Sequence, residues 1–282
     1  MIGRLRNILH DVEDRQRISI ALAKGGAMMN ARHIDLSNPA TWEFSGFSQN
    51  GEDGILDVLR RQLRTASRSF LEVGSGDGIE NNTAWLLVAE RYNGVMIDGN
   101  RSLVERARRI VVPYSIGAEC HALFVTSESA RTLKNLALCL DPDVFSLDID
   151  GIDYYVAQVC LDDGFRPKIF VVEYNSVYGP ERCLTIENQP DFNFRKAHST
   201  ELYYGVSIAG WRRFFDRHGY RFVSVDRNGV NAFFVDPMHF DSSFLDAIQG
   251  LGFAENRYQL RKFRKSSEEQ FSLLADQKFV SI

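Results

Sequence analysis

The chain is poor in cysteine: four in 282 residues, at positions 120, 139, 160 and 183, with no Cys-x-x-Cys pair. That spacing argues against a disulfide framework and a cysteine zinc site, leaving reduced packing thiols. No run approaches the roughly twenty apolar residues that a membrane-spanning helix requires. Residues 1–17 are charged and amphipathic and lack the apolar stretch of a secretory signal, so the expected location is cytoplasmic. Basic charge is not in excess either. The 33 Lys and Arg against 37 Asp and Glu leave a net charge of −4, which gives no electrostatic reason to expect a nucleic-acid partner. What remains is a chain 44% hydrophobic and 25% charged, ordinary for a globular protein and long enough to bury a full core.

Within it one stretch stands out. Phe70-Leu71-Glu72-Val73-Gly74-Ser75-Gly76-Asp77-Gly78 reads as a buried strand breaking into a glycine-rich turn, with a helix opening at 81–83. Glycines there let the backbone take positive φ and approach a ligand with no Cβ in the way. The acids Glu72 and Asp77 flank the turn, where a phosphate-binding loop presents neutral or basic groups. Negative charge suits a cationic, hydroxyl-rich ligand, and S-adenosylmethionine, with its sulfonium, amino group and ribose diol, is one. A second short strand, Gly94-Val95-Met96-Ile97-Asp98, ends in a carboxylate about twenty residues further on, where doubly wound folds hold a ribose diol.

Helix-like periodicity over 5–29 predicts one or two amphipathic helices ahead of the core, and Pro39 with its polar neighbours marks a linker. The expected organisation is an N-terminal helical extension over 1–41, a main domain over 42–240 and a tail over 241–282. A helix is expected over 53–63. Strand signals at 69–73, 94–98, 121–125, 143–148 and 169–173 alternate with helical patterns at 82–91, 101–110, 127–139 and 152–163. Such alternation argues for a parallel sheet covered on both faces. A polar, aromatic-rich connection over 176–204 follows, longer than a plain linker needs. Then come a helix over 207–218 and two strands, 220–225 and 230–235, joined through Asn228-Gly229, a hairpin-turn pair. The expected fold is α/β: a seven-stranded, Rossmann-like methyltransferase sheet with a terminal antiparallel hairpin, N-terminal helices and a helical tail. That tail can pack on the core or on a second copy, as a homo-oligomer would require.

Phe47-Ser48-Gln49-Asn50-Gly51-Glu52-Asp53, the glycine turn, Asn82-Thr83 and the strand ending at Asp98 together resemble the FkbM-like class I S-adenosylmethionine-dependent methyltransferases over about residues 44–240. The resemblance implies methyl transfer, commonly to hydroxyls of sugars or polyketide-type natural products. It implies that Glu72, Gly74, Gly76 and Asp77 form the cofactor loop, that Asp98 holds the ribose hydroxyls and that Asn100 sits near the adenine. Gln49 and Glu52 would lie by the cofactor's amino-acid end, or else cap the helix that follows. The segments Asp148-Ile149-Asp150-Gly151 and Glu173-Tyr174-Asn175 depart from the commoner pattern of that family.

Those two segments end the fourth and fifth expected strands, the edge where open α/β sheets bind ligands. Hard oxygen donors there suit Mg²⁺, with Asp148, Glu173 and Asn175 as ligands and Asp150 or a histidine as base. Without a metal, Asp148 or Asp150 would take the proton directly. Asp153 reads better as a turn residue capping the helix at 152–163. The 176–204 segment, with Tyr178, Phe192, Phe194, His198, Tyr203 and Tyr204, reads as a lid over a small-molecule acceptor, with His198 a candidate base or substrate contact. The expected activity is O-methylation of a sugar or another oxygen-rich natural product. Its alternatives are N-methylation of a small amine or amino-acid side chain, an NAD-dependent oxidoreductase, and a non-catalytic nucleoside-binding protein.

Overall fold

The computed structural model describes residues 2–282, with side chains from His10 onward. Its elements, in chain order, are α1 (Ile2–Ala31), α2 (Glu52–Arg61), β1 (Ser69–Val73), α3 (Ala84–Val88), β2 (Asn93–Asp98), α4 (Arg101–Ile110), β3 (Ala118–Ala122), α5 (Leu133–Leu136), β4 (Val144–Leu147), α6 (Asp153–Asp162) and β5 (Ile169–Glu173). They continue through β6 (Leu184–Ile186), α7 (Phe194–Ala197), α8 (Ile208–Arg217), β7 (Arg221–Val225), β8 (Asn231–Val235), α9 (Ser242–Ala247), α10 (Arg257–Phe263), α11 (Ser267–Phe271) and β9 (Phe279–Ser281). None of the described helices is long and apolar enough to cross a membrane.

The expected α/β fold is observed. Seven strands lie in the order β3-β2-β1-β4-β5-β8-β7. The first five run parallel, and β8 is antiparallel to both of its neighbours. Every residue of β1 is buried, as a central parallel strand covered on both faces requires. Its last residue, Val73, sits opposite Ile97 of β2 and Leu147 of β4, so the chain leaves three neighbouring strands at one edge of the sheet. Strand order reverses between β1 and β4, which opens a crevice there. The β7–β8 hairpin closes through Asp226, whose carboxylate accepts from the amides of Asn228 (2.7 Å) and Val230 (3.2 Å).

Each face of the sheet carries its own core. On one side Trp42, Phe44 and Trp85 bring α1 and α2 against β1. On the other, Phe145, Phe170, Trp211, Phe215 and Phe234 pack edge-on and stacked beneath α8. The N-terminal extension is one helix, docked through buried Ile18 and Ala21 and through the ion pairs of Asp14 with Arg106 and of Arg17 with Asp77.

Three expectations are corrected. The third strand lies at 118–122 rather than 121–125, because Gly94 N–H bonds Gly117 O and sets the register; Leu123, Phe124 and Val125 are left to wall a cavity. The helices expected over 82–91 and 127–139 shrink to α3 and to a 3₁₀ turn followed by α5. The tail is not simply helical. Its end forms β9, which pairs antiparallel with β6 inside the 176–204 segment, from Leu184 opposite Ser281 to Ile186 opposite Phe279.

Two adjacent glycines of α1 make a paired test of its docking. A Cβ on Gly25 would lie 2.4 Å from the Trp85 ring, whereas one on Gly26 meets nothing within 4 Å. Gly26→Ala should therefore stabilise the fold by about 0.5–1 kcal/mol through helix propensity. Gly25→Ala should destabilise it by about 1–3 kcal/mol through overpacking. Urea denaturation of both variants checks the opposite signs.

Candidate functional site

The site begins where β1 ends. Gly74 has φ +90° and donates its N–H to Ile97 O at 2.8 Å. A Cβ on it would lie 1.6 Å from Asp148 O, so only glycine lets the ends of β1 and β4 touch. Gly76 N–H donates to one oxygen of Asp98 at 2.8 Å and Asn100 N–H to the other at 2.7 Å. These bonds fix the Asp98 carboxylate at the end of β2 and leave it acceptor capacity on both oxygens. Asn100 caps α4 by accepting from Ser102 N–H at 3.0 Å. Asp98 and Asn100 line a cavity of about 470 Å³, whose apolar wall includes Phe124, Val125, Ile152 and Phe192.

A second cavity, of about 240 Å³, lies beyond Gly74 and is mainly polar, with Gln49, Glu52, Glu72, Asn82 and Asn231 on its walls. Its upstream wall is shaped by Asp53, whose carboxylate gathers the N–H groups of Gly46 (2.8 Å), Phe47 (2.8 Å) and Ser48 (3.0 Å). Glu52, almost fully buried, accepts from Asn50 N–H and from Asn231 Nδ2, both at 2.7 Å. Gln49 bonds Glu80. Glu72 holds the start of α3 by accepting from Asn82 N–H at 2.9 Å and from the Thr83 hydroxyl. Burial outweighs these bonds and pushes the Glu72 carboxyl up to about 7.

Asp148, Asp150 and Glu173 converge, with one oxygen from each lying within 4.8 Å of the others. Burial drives the Asp148 and Glu173 carboxyls well above their usual range; repulsion from Asp150 and Asp153 adds to it for Asp148, and repulsion from Asp148, Asp150 and Asp153 for Glu173. Asp150, although exposed to solvent, is pushed up to about 6, first by the protein packed around it and second by Asp153, with Arg195 opposing. The loop is set by Asp153, which accepts from Ile149 N–H and Gly151 N–H, both at 2.9 Å. Between those amides Asp150 takes φ +52°, a left-handed conformation that Asp tolerates better than most residues.

The three acids stand at the junction of three cavities. Asp148 and Asp150 line the first; Asp148 and Glu173 line the second. Asp150 and Glu173 line another, of about 210 Å³, walled by Phe194, Tyr204, Asn256, Tyr258, Gln259 and Lys262. Tyr204 donates to Glu173 at 3.3 Å, and Gln259 Nε2 reaches the same phenol at 3.3 Å.

Other candidate residues lie elsewhere. Asn175 is fully buried, and its amide is spent on Leu202 O (2.8 Å), Tyr204 O (2.9 Å) and Val177 N–H (3.1 Å), so Asp150 completes the acid group in its place. Asp77 turns away from both cavities to pair with Arg17 at 2.8 Å and Arg106 at 3.5 Å. His198 contacts Thr200 Oγ1 at 2.7 Å and faces Asp276 at 3.6 Å. Within 176–204, Tyr178 and Tyr203 are buried against Phe279 of β9, while Phe192, Phe194 and Tyr204 face the cavities. The contribution of α10 to the site was not foreseen, since an amphipathic charged tail segment carries no sign of which cavity it will wall.

No family profile and no curated relative matches the chain. Among solved structures it is similar to an O-methyltransferase from Bacillus cereus in complex with SAH, at 12% identity and TM-score 0.42, covering 78% of this chain and 89% of that one. It is also similar to the CurJ carbon methyltransferase, at 10% identity and TM-score 0.45, covering 83% and 70%. A third is a SAM-dependent methyltransferase from Geobacter sulfurreducens in complex with S-adenosyl-L-homocysteine, at 14% identity and TM-score 0.36, covering 70% of each chain.

The raised carboxyls make stability depend on pH with a definite sign. A carboxyl whose folded pKa lies above its unfolded value keeps its proton longer in the folded state, so stability is lost as pH rises between the two values. For Asp150 that window runs from near 4 to about 6. Asp150→Asn, which tolerates the same backbone angle, should match the wild-type melting temperature at pH 4 and exceed it at pH 8. Thermal melts across that range test this, and equal curves at both ends would remove the strain assigned to the cluster.

Proposed function

We propose that the chain is an S-adenosylmethionine-dependent methyltransferase acting on a hydroxyl of a small, oxygen-rich acceptor such as a sugar. The observation that carries this reading is the meeting of three cavities at Asp148, Asp150 and Glu173. The first cavity offers an apolar wall and the Asp98 carboxylate, as an adenosine needs. The second is acidic and amide-lined, as an ammonium-bearing amino-acid end needs. The cofactor would thread past Gly74, where no side chain stands in the way, and the acceptor would enter through the cavity beside α10.

S-adenosylmethionine supplies an electrophilic methyl on a sulfonium, so what the protein must add is alignment and removal of one proton. Asp150, with its carboxyl near 6, is matched to accept a hydroxyl proton around neutral pH. Asp148 and Glu173 favour positive charge beside the reacting atoms. Asp148 and Glu173, crowded beside Asp150, also fit a hard divalent cation such as Mg²⁺, because they form an oxygen donor set whose repulsion a cation relieves, with Asp150 remaining the base. A cation held there would anchor acceptor oxygens and acidify the attacking hydroxyl. An amine acceptor is the second reading, favoured by the same concentration of negative charge.

S-adenosylhomocysteine should bind in calorimetry while NAD does not, and Asp98→Ala should lose about 1–3 kcal/mol of that binding. Unchanged affinity in the variant would remove Asp98 from the ribose site. For the cation, Mg²⁺ should raise the melting temperature of the wild type and leave Asp148→Asn/Glu173→Gln unmoved. Equal response of the two proteins would discard the metal and keep Asp150 as an unassisted base.

A further inference from the structure

A fourth cavity, of about 410 Å³, adjoins the site and differs from the other three in charge. Gln49, Asn50, Asn228, Val230, Asn256, Arg257, Tyr258 and Arg261 line it, and no Asp or Glu does. Arg257 and Arg261 stand one turn apart on α10, so both guanidinium groups can reach one ligand. Among the described residues neither has an acidic partner, although Lys262 beside them pairs with Glu201 and Arg182 with Glu268. The Asn256 carbonyl oxygen is occupied by Tyr258 N–H and Gln259 N–H, at 3.0 and 3.1 Å, while its amide N–H₂ is left free to donate. The cavity shares Asn256 and Tyr258 with the acceptor cavity, and Gln49, Asn50 and Val230 with the acidic one. A wall with two arginines and no acid, in a chain of net charge −4, is a local inversion of sign.

We infer that this cavity is an anion subsite and that the acceptor carries a phosphoryl group, held by Arg257 and Arg261 while its hydroxyl reaches Asp150. Two guanidinium forks offer paired N–H donors to phosphate oxygens, a match that lysines or scattered surface charge do not make. Acceptors of this class are sugar phosphates and sugars linked through a diphosphate. The inference rests on the methyltransferase reading for what the neighbouring cavity does, but the anion subsite itself is measurable without it.

The experiment is calorimetric titration of the full chain with pyrophosphate, inorganic phosphate and acetate, each with and without saturating S-adenosylhomocysteine. Pyrophosphate and phosphate should bind more tightly than acetate. Arg257→Ala/Arg261→Ala, both exposed positions, should weaken them by about tenfold or more, with S-adenosylhomocysteine affinity unchanged. Arg264→Ala/Lys265→Ala, which removes the same charge from residues outside the cavity, should bind like the wild type. Equal losses in the two double variants would reduce the feature to diffuse basic charge, and acetate binding as tightly as phosphate would overturn the phosphoryl assignment. A loss of S-adenosylhomocysteine affinity in the first variant would instead give the arginines to the cofactor's carboxylate. Failure of the wild type to bind S-adenosylhomocysteine, with phosphate still bound, would sink the methyltransferase reading alone.

Discussion

The contact between Gly74 and the carbonyl of Asp148 is the constraint on which the rest of the site depends. It brings the exits of β1 and β4 to van der Waals distance, and a single methyl group on Gly74 would hold them apart. Because they touch, the glycine turn and the acid-bearing loop share a wall, and the cavities on either side of Gly74 meet at Asp148. Asp98 is oriented by the same turn through Gly76 N–H. One missing side chain thus sets the distance between the Asp98 carboxylate and the acids Asp148, Asp150 and Glu173.

The second physical theme is negative charge held out of water. Glu72, Asp148 and Glu173 sit where burial raises their carboxyls, and the compensation is partial: an amide and the Thr83 hydroxyl for Glu72, a phenol for Glu173. Ion pairs are used freely elsewhere, as in Lys168 with Asp143 or Arg32 with Asp57, so basic partners are not lacking in the chain. Among the described residues none of them stands on the walls of the acidic cavity, which leaves a field that rewards a cation, whether sulfonium, ammonium or metal. The aromatic cores on both faces supply the burial that lets the fold tolerate this strain.

Much of the fold was legible because its signals are local. The apolar runs of β1, β2, β4 and β5 and the Asn228-Gly229 turn are read over a few residues at a time. Strand β3 was displaced because an edge strand is only half apolar, and Leu123–Val125, more hydrophobic than the strand itself, mimic one while lining a cavity. Glu72, Asp98, Asp148 and Glu173 stand out in the sequence as charges interrupting apolar strands, and the structure places each on a cavity wall. Asn175 and His198 were not separable from them, since polar side chains that serve loop carbonyls and those that serve ligands look alike in sequence. The part played by α10 depends on where a tail docks, which no short window contains.

The pairing of β6 with β9 divides the site by distance along the chain. The turn after β1, Asp98 and the segment around Gln49 lie within some fifty positions of one another, whereas β6 and β9 meet across more than ninety. The opposite wall needs the Asn50 region beside Asn228 and Arg257, across about two hundred. Loss of the three-residue β6–β9 ladder would loosen the segment that supplies Phe192 to the first cavity and Phe194 and Tyr204 to the third, while leaving the turn after β1 and Asp98 standing. Two degrees of order are therefore built into one cleft: a floor secured by the central sheet, and a roof whose integrity is reported by the last strand of the chain.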